Sequence, residues 1–158
     1  MIKIFGALLF SLAAYFWGRE RGRSEEEKIL ILEALIFFVD YTQEEITNFK
    51  TPLFRIYSDF DNPILHKIGF ISLLRNEGVE KATEVLCGKI SESAYKDVKV
   101  FAKGLGGGYS EGQKKLCEIT QKRLEKVLKD QKSSLAERVR MYRLLPVLIA
   151  ASVIILLI

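Results

Sequence analysis

Apolar and charged residues are strongly segregated along this chain, and that segregation limits the folds open to it. The first 17 residues carry one charge, Lys3, and the last 15 residues, from Leu144 to Ile158, carry none. All 20 acidic residues lie between Glu20 and Glu137. A chain of 158 residues with this pattern has room for one water-soluble domain between two apolar ends.

Each apolar end has the composition of a membrane-spanning helix. A helix of 18 residues is about 27 Å long, close to the roughly 30 Å of bilayer hydrocarbon, and Lys3 and Trp17 suit the headgroup region. We therefore predict transmembrane helices over residues 1–18 and 141–158. A cleaved signal peptide is the alternative for the first, although bulky aromatics from Tyr15 to Trp17 oppose cleavage. A buried core helix is the alternative for the second.

Basic residues flank both apolar ends on the side of the central domain. Positive flanking charge marks the cytoplasmic side of a membrane protein. We therefore predict a multi-pass protein of the bacterial cell membrane, with a cytoplasmic domain over residues 19–140. The flanking residues are Arg19, Arg21, Arg23, Arg138, Arg140 and Arg143.

The central domain has helical periodicity and no sustained alternation of the kind that marks strands, which predicts an all-α bundle of about six helices. Over Arg23–Phe49 the apolar residues recur at spacings of three and four. Leu30, Ile31, Phe37 and Phe38 widen that face, so we expect this helix to be buried on several sides. Thr51-Pro52 and Asp61-Asn62-Pro63 predict helix starts, because Thr or Asn can cap the free backbone donors and proline is tolerated at the first helical position. Further helices are predicted over about Pro52–Asp59, Pro63–Arg75, Val79–Ile90 and Ser91–Leu105.

The glycine-rich segment from Gly104 to Gly108 predicts a sharp turn before the last helix. It lacks the spacing of a phosphate-binding loop, since Gly112 is followed by Gln113 and not by lysine. Ser110 and Gln113 have the spacing of a capping box. From Ser110 the helical stripe continues into the C-terminal span, so we predict one long helix, continuous or nearly so, that only the polar stretch Lys129–Ser134 could interrupt.

Composition also limits the chemistry. Net charge is +4 and the pI about 9.0, but Lys and Arg are interleaved with acids, so no nucleic-acid partner is predicted. Cys87, Cys117 and His66 are the only cysteines and histidine; they form neither a zinc motif nor a nucleophile–base set, and the thiols are expected to be reduced and half-buried. We predict no enzyme activity and no cofactor.

Two motifs resemble those of a known family, stage III sporulation protein AB of endospore-forming Firmicutes. The stretch Glu44–Leu53 resembles the family's E-I-x-Y-x-x-T-P-L, and Leu105–Gln113 resembles L-G-x-x-D-x-x-G-Q. Met141-Tyr-Arg143 matches before the final apolar segment. Two departures stand out: Tyr109 replaces the usual Asp, and Pro146 replaces a glycine, which predicts a kink.

The resemblance implies a soluble domain similar to the cytoplasmic domains of the type II secretion platform protein F. It implies a non-enzymatic platform subunit of the channel between mother cell and forespore, in the mother-cell membrane. Its implied partners are the lipid bilayer, a cytoplasmic secretion-type ATPase and other channel subunits, and a homo-oligomer is left open. The candidate interface residues are those of the motifs: Glu44, Glu45, Thr51, Pro52, Leu53, Leu105, Gly106, Glu111, Gly112 and Gln113.

Two alternatives remain. A platform subunit or membrane-anchored adaptor of another type II secretion or type IV pilus-like system would have the same topology without a link to sporulation. An enzyme acting at the membrane surface would depend on His66 or a carboxylate. Expression confined to the sporulating mother cell would favour the sporulation channel subunit over both alternatives.

Overall fold

The computed structural model describes the backbone of residues 2–157. Near the ends it leaves out the side chains of residues 1–12, 14, 15, 17, 18, 142, 143, 145–147, 150, 151 and 153–158. The described residues form helices and turns without strands, which confirms the all-α prediction. The elements are α1 (Ile2–Glu44), a π-helical turn (Glu45–Phe49), α2 (Leu53–Asp59), α3 (Pro63–Lys67), α4 (Phe70–Glu77), α5 (Val79–Glu84), α6 (Glu92–Gly104) and α7 (Ser110–Leu157).

The chain divides into two compact units. Unit 1 combines Met1–Glu27 with Gln131–Ile158, and unit 2 is Lys28–Asp130. The predicted domain limits at 18/19 and 140/141 stay predictions. Helices α1 and α7 each contribute to both units.

The core of unit 2 is organised around Phe38 of α1. Its ring lies edge-on to those of Phe60, Phe70 and Phe101, with centroid separations of 4.9, 5.7 and 6.3 Å. Edge-to-face aromatic pairs stabilise a core beyond the burial of their area alone. One side chain of α1 thus joins the segments around α2, α4 and α6.

Helix α1 is buried on fewer sides than predicted. Ile31 and Phe38 are buried, but Leu30 and Phe37 are exposed to 47% and 54%. Phe49, predicted to face inward, is 66% exposed. A π-helical turn advances fewer degrees per residue than an α-helix, so the stripe loses its phase after Ile46.

Two predicted helices end early because glycines adopt positive φ. Gly69, with φ of 85°, separates α3 from α4 and divides the predicted Pro63–Arg75 helix. The predicted Val79–Ile90 helix ends as α5 at Glu84, and turns containing Gly88 follow. Cys87 is therefore exposed in a turn, while Cys117 of α7 is fully buried, so neither is half-buried as expected.

Helix α7 is continuous from Ser110 to Leu157, which confirms the long last helix. It runs through the polar stretch at 129–134 and through Pro146, where the kink stays a prediction. The predicted capping box is wrong: the Gln113 backbone N–H donates to the Tyr109 carbonyl and its side-chain amide donates to the Gly108 carbonyl.

Within unit 1, α1 contacts α7 through a partly buried ion pair. Arg138 donates to the Glu25 carboxylate at 3.2 Å and to the Ser134 hydroxyl at 2.7 Å. One turn away, a Cβ on Gly22 would lie 3.5 Å from a methyl group of Val139, an ordinary van der Waals distance, so the two helices also lie close together there.

Most side chains of the predicted spans over 1–18 and 141–158 lie outside the described residues. Over the part of the chain that is described, none of the helices is both long enough and apolar enough to cross a membrane.

Candidate partner-binding surface

The first motif lies at the irregular end of α1. The π-helical turn Glu45–Phe49 ends at Lys50, whose φ of 51° and ψ of 34° are left-handed. The Glu45 carbonyl accepts hydrogen bonds from the backbone N–H groups of Lys50 and Thr51, the latter at 3.1 Å. A π turn inside a helical protein often occurs at a functional position, so this end of α1 is a candidate site.

Side chains of the same motif hold the turn in place. The Thr51 hydroxyl donates to the Glu45 carboxylate at 2.5 Å. We had predicted that Thr51 caps α2, but it does not. Burial raises the pKa of Tyr41, and the nearby carboxylates of Glu45 and Asp59 raise it further. The carboxylate of Glu45 therefore accepts a hydrogen bond from Thr51 and, through its charge, raises the pKa of Tyr41.

The second motif contacts the first through Gly106. This glycine has φ of +89°, and a Cβ built on it would lie 3.1 Å from Cδ1 of Leu53. A side chain at this position would be strained by its backbone and crowded by Leu53. The structure thus brings together two motifs that lie more than fifty residues apart in the sequence.

Exposed aromatic residues flank this contact along the chain. The exposed fractions are 66% for Phe49, 74% for Phe54 and 92% for Tyr109. Phe49 and Phe54 stand on either side of the turn that leads to Leu53, and Tyr109 follows the glycine loop. We refer to Phe49, Leu53, Phe54, Gly106 and Tyr109 as the motif surface.

The remaining motif residues have different surroundings. Glu44, Pro52, Glu111 and Gly112 are exposed, whereas Leu105 packs against the core and Gln113 is half-buried. Sequence reasoning missed Phe54 and the outward turn of Phe49. The available signal for the exposure of Phe54 was its position directly after the Thr-Pro-Leu helix start. A phenylalanine at that position does not continue an apolar helical stripe.

The flanking arginines differ in their surroundings. Arg138 is paired with Glu25, while Arg19, Arg21, Arg23 and Arg140 have exposed side chains. The side chain of Arg143 lies outside the described residues.

A groove lies between α5 and α6. Its volume is about 220 Å³, and Lys81, Lys99 and Lys103 line it together with Glu80 and Glu84. Lys81 is already paired with Glu84 at 3.1 Å. Three ammonium groups and two carboxylates line this groove, and among the described residues no three metal-ligating side chains come together.

A family model for stage III sporulation protein AB matches residues 3–158. The chain belongs to this family. Neither the comparison with curated proteins nor that with solved structures gives a match.

Family membership confirms the resemblance carried by the two motifs, and it makes this a sporulation-related protein. The match covers both motifs of the motif surface and both apolar ends. The family is one of sporulation proteins and is not a known enzyme family. The similarity to the type II secretion platform protein F stays a prediction.

Proposed function

We propose that this member of the stage III sporulation protein AB family is a non-enzymatic platform subunit of the channel complex between mother cell and forespore. In this proposal the motif surface binds a partner subunit, and a cytoplasmic secretion-type ATPase is the partner implied by the resemblance. The observation that carries the proposal is the contact between Leu53 and Gly106, which joins the two family motifs beside exposed aromatic residues.

Exposed aromatic side chains support a binding role on physical grounds. A monomeric surface gains nothing from presenting Phe49, Phe54 and Tyr109 to water, whereas aromatic residues are enriched among the side chains that dominate protein interfaces. The local backbone is held by the Glu45–Thr51 hydrogen bond and by the left-handed Lys50. A surface ordered in advance binds at lower entropic cost.

The membrane part of the proposal rests on the sequence. Residues 144–158 carry no charge and residues 1–17 carry only Lys3. We propose that both ends insert in the mother-cell membrane and that the domain between them faces the cytoplasm, next to the ATPase.

The test uses the full chain with an affinity tag in sporulating cells. Phe54→Ala and Tyr109→Ala together are expected to reduce co-purification of the secretion-type ATPase and the yield of spores by roughly tenfold or more, as loss of two aromatic anchors does. Val100→Ala is the control, since Val100 is also an exposed apolar residue, at 57%, but lies on α6. Unchanged co-purification with the double variant at normal protein level would contradict the proposal.

A further inference from the structure

Two helices of unit 2 carry outward-facing stripes at spacings of three and four residues, which align side chains on one helix face. The acidic stripe, on α1, consists of Leu30, Glu33, Phe37, Asp40 and Glu44. The basic stripe, on α7, consists of Lys115, Ile119, Lys122, Lys126 and Lys129. Glu33 is half-buried and the other nine residues are exposed.

The two stripes are opposite in charge. The acidic stripe has three carboxylates and no cation, and the basic stripe has four ammonium groups and no carboxylate. Other side chains of the same helices pair opposite charges, as Lys114 does with Glu118 at 3.9 Å on α7, whereas each stripe carries one sign of charge along its length. Opposite potentials on two surfaces are the arrangement that favours their association.

Both stripes also contain exposed apolar side chains. Leu30 and Phe37 interrupt the acidic stripe with exposures of 47% and 54%, and Ile119, 41% exposed, interrupts the basic stripe. The Phe37 ring packs against the Phe60 ring at a centroid separation of 6.0 Å, and this contact holds the exposed Phe37 side chain in place. An apolar centre flanked by charge is the composition of a protein interface.

The stripes match in length as well. Each runs over fifteen residues, or about 21 Å at 1.5 Å per residue. Equal length, equal spacing and opposite charge allow the two helices to lie side by side along the whole of both stripes.

We propose that the basic stripe of one copy of this chain packs on the acidic stripe of a second copy. Because the two surfaces differ, the contact is heterologous, and each copy keeps one unused stripe for a further neighbour. The assembly therefore grows into a ring or a row. Two helices of this length bury less than the roughly 1,200–2,000 Å² of a stable soluble complex, so the contact depends on copies being held close together.

The experiment is cysteine cross-linking of the full chain in the cells that produce it. Cys87→Ser removes the exposed native thiol, and Cys117 is kept because it is buried. Chains with Phe37→Cys and chains with Ile119→Cys carry different tags and are produced together before oxidation. We expect a covalent dimer that contains both tags. A chain with both substitutions is expected to give a ladder of higher species, and Val100→Cys with Phe37→Cys serves as the control pair.

Charge substitutions test the cause of the contact. Lys122→Gln with Lys126→Gln is expected to reduce the mixed dimer roughly tenfold, as loss of two interfacial charges does. Lys89→Gln with Lys103→Gln removes the same charge elsewhere and is expected to leave the yield unchanged. Asp40→Lys, which leaves the motif residue Glu44 intact, is expected to abolish the dimer, and Lys126→Glu on the other chain is expected to restore it.

Three results would overturn the proposal. The first is the absence of a mixed dimer at normal protein level. The second is equal cross-linking of Phe37→Cys chains with one another, which would mean a two-fold symmetric contact. The third is a mixed dimer that responds equally to the stripe substitutions and to the control substitutions. None of these results bears on ATPase binding by the motif surface.

Discussion

At the scale of single residues, two glycines determine how closely the loop before α7 approaches its neighbours. A Cβ on Gly104 would lie 2.8 Å from a methyl group of Leu116, and one on Gly106 would lie 3.1 Å from Leu53. Gly106 also has the positive φ that side chains disfavour. The Leu116 methyl group ends a flexible side chain that can shift, so the motif surface depends chiefly on the absence of a side chain at Gly106.

Gly106→Ala is expected to lower the free energy of unfolding by about 1–2 kcal/mol, because a left-handed backbone costs that much for an L-residue. Gly112→Ala is the matched control: a Cβ there meets nothing within 4 Å in the first turn of α7, so stability should be unchanged or slightly higher. Urea unfolding of the full chain in uncharged detergent, followed by circular dichroism, measures both. Equal effects of the two substitutions would refute the close contact.

The two thiols are expected to differ sharply in reactivity. Burial raises the pKa of Cys117 to about 11, so this thiol stays protonated near neutral pH, whereas Cys87 is exposed. Maleimide should label Cys87 at once and Cys117 only in urea, and the Cys87→Ser chain should stay unlabelled until it unfolds. Because the thiol ionises more readily in the unfolded chain, stability should also fall as pH rises from about 9 towards 11. Rapid labelling of the folded Cys87→Ser chain would contradict this.

The sequence predicted a helix cap well where the helix starts at the expected residue and poorly where it starts one residue later. Asn62 before Pro63 caps α3, as expected, by accepting from the backbone N–H groups of Ile64 and Leu65 at 3.0 and 3.2 Å. Thr51 before Pro52 has the same signal, but α2 begins at Leu53 with Pro52 as its N-cap, so Thr51 lies one residue too early to cap it. The Thr51 hydroxyl donates to the Glu45 carboxylate of the π turn, and the apolar periodicity of the sequence does not predict that turn.

At the scale of helices, the pattern of apolar residues predicts the existence of an element better than its end. The stripe of α7 continues without glycine or proline from Gly112 to Pro146, and the long helix was predicted on that basis. The helix over 63–75 was predicted as one element, although Gly69 interrupts it. Glycine is tolerated inside helices and also ends them, so the sequence alone does not distinguish the two outcomes.

The contact of α1 with α7 in unit 1 gives a prediction at this scale. Arg138 and Glu25 lie 3.2 Å apart, and the Glu25 side chain is only 14% exposed. Removing either charge, by Glu25→Gln or Arg138→Gln, is expected to speed amide hydrogen exchange over residues 19–27 and 131–140 roughly twofold to fivefold, or about 0.5–1 kcal/mol. The double variant should exceed neither single variant by much, because both remove one interaction.

The exposed pair of Lys96 and Glu92 supplies the control for that experiment. These side chains are more than two-thirds exposed, so water and salt screen their attraction. Substituting Glu92→Gln should leave exchange over the same segments unchanged. Additive effects of the Glu25 and Arg138 substitutions would mean that the ion pair does not couple the two helices.

At the scale of the whole molecule, the sequence predicted the family and the helical class, but not the surface. The two motifs were recognisable as sequence, whereas their contact through Leu53 and Gly106 depends on long-range packing. The exposure of Phe37 and Leu30 likewise follows from which neighbours α1 acquires. Such features require the fold, since a helical stripe shows which residues share a face but not which faces are covered.

In the proposed topology the motif surface faces the cytoplasm between two membrane-inserted ends. The most direct test is labelling of single cysteines by an impermeant maleimide in intact cells, at Lys3→Cys, Tyr109→Cys and Ile158→Cys in the Cys87→Ser chain. We predict labelling at both ends and protection of Tyr109→Cys until detergent opens the cells. Labelling of Tyr109→Cys in intact cells would put the motif surface outside and contradict the account.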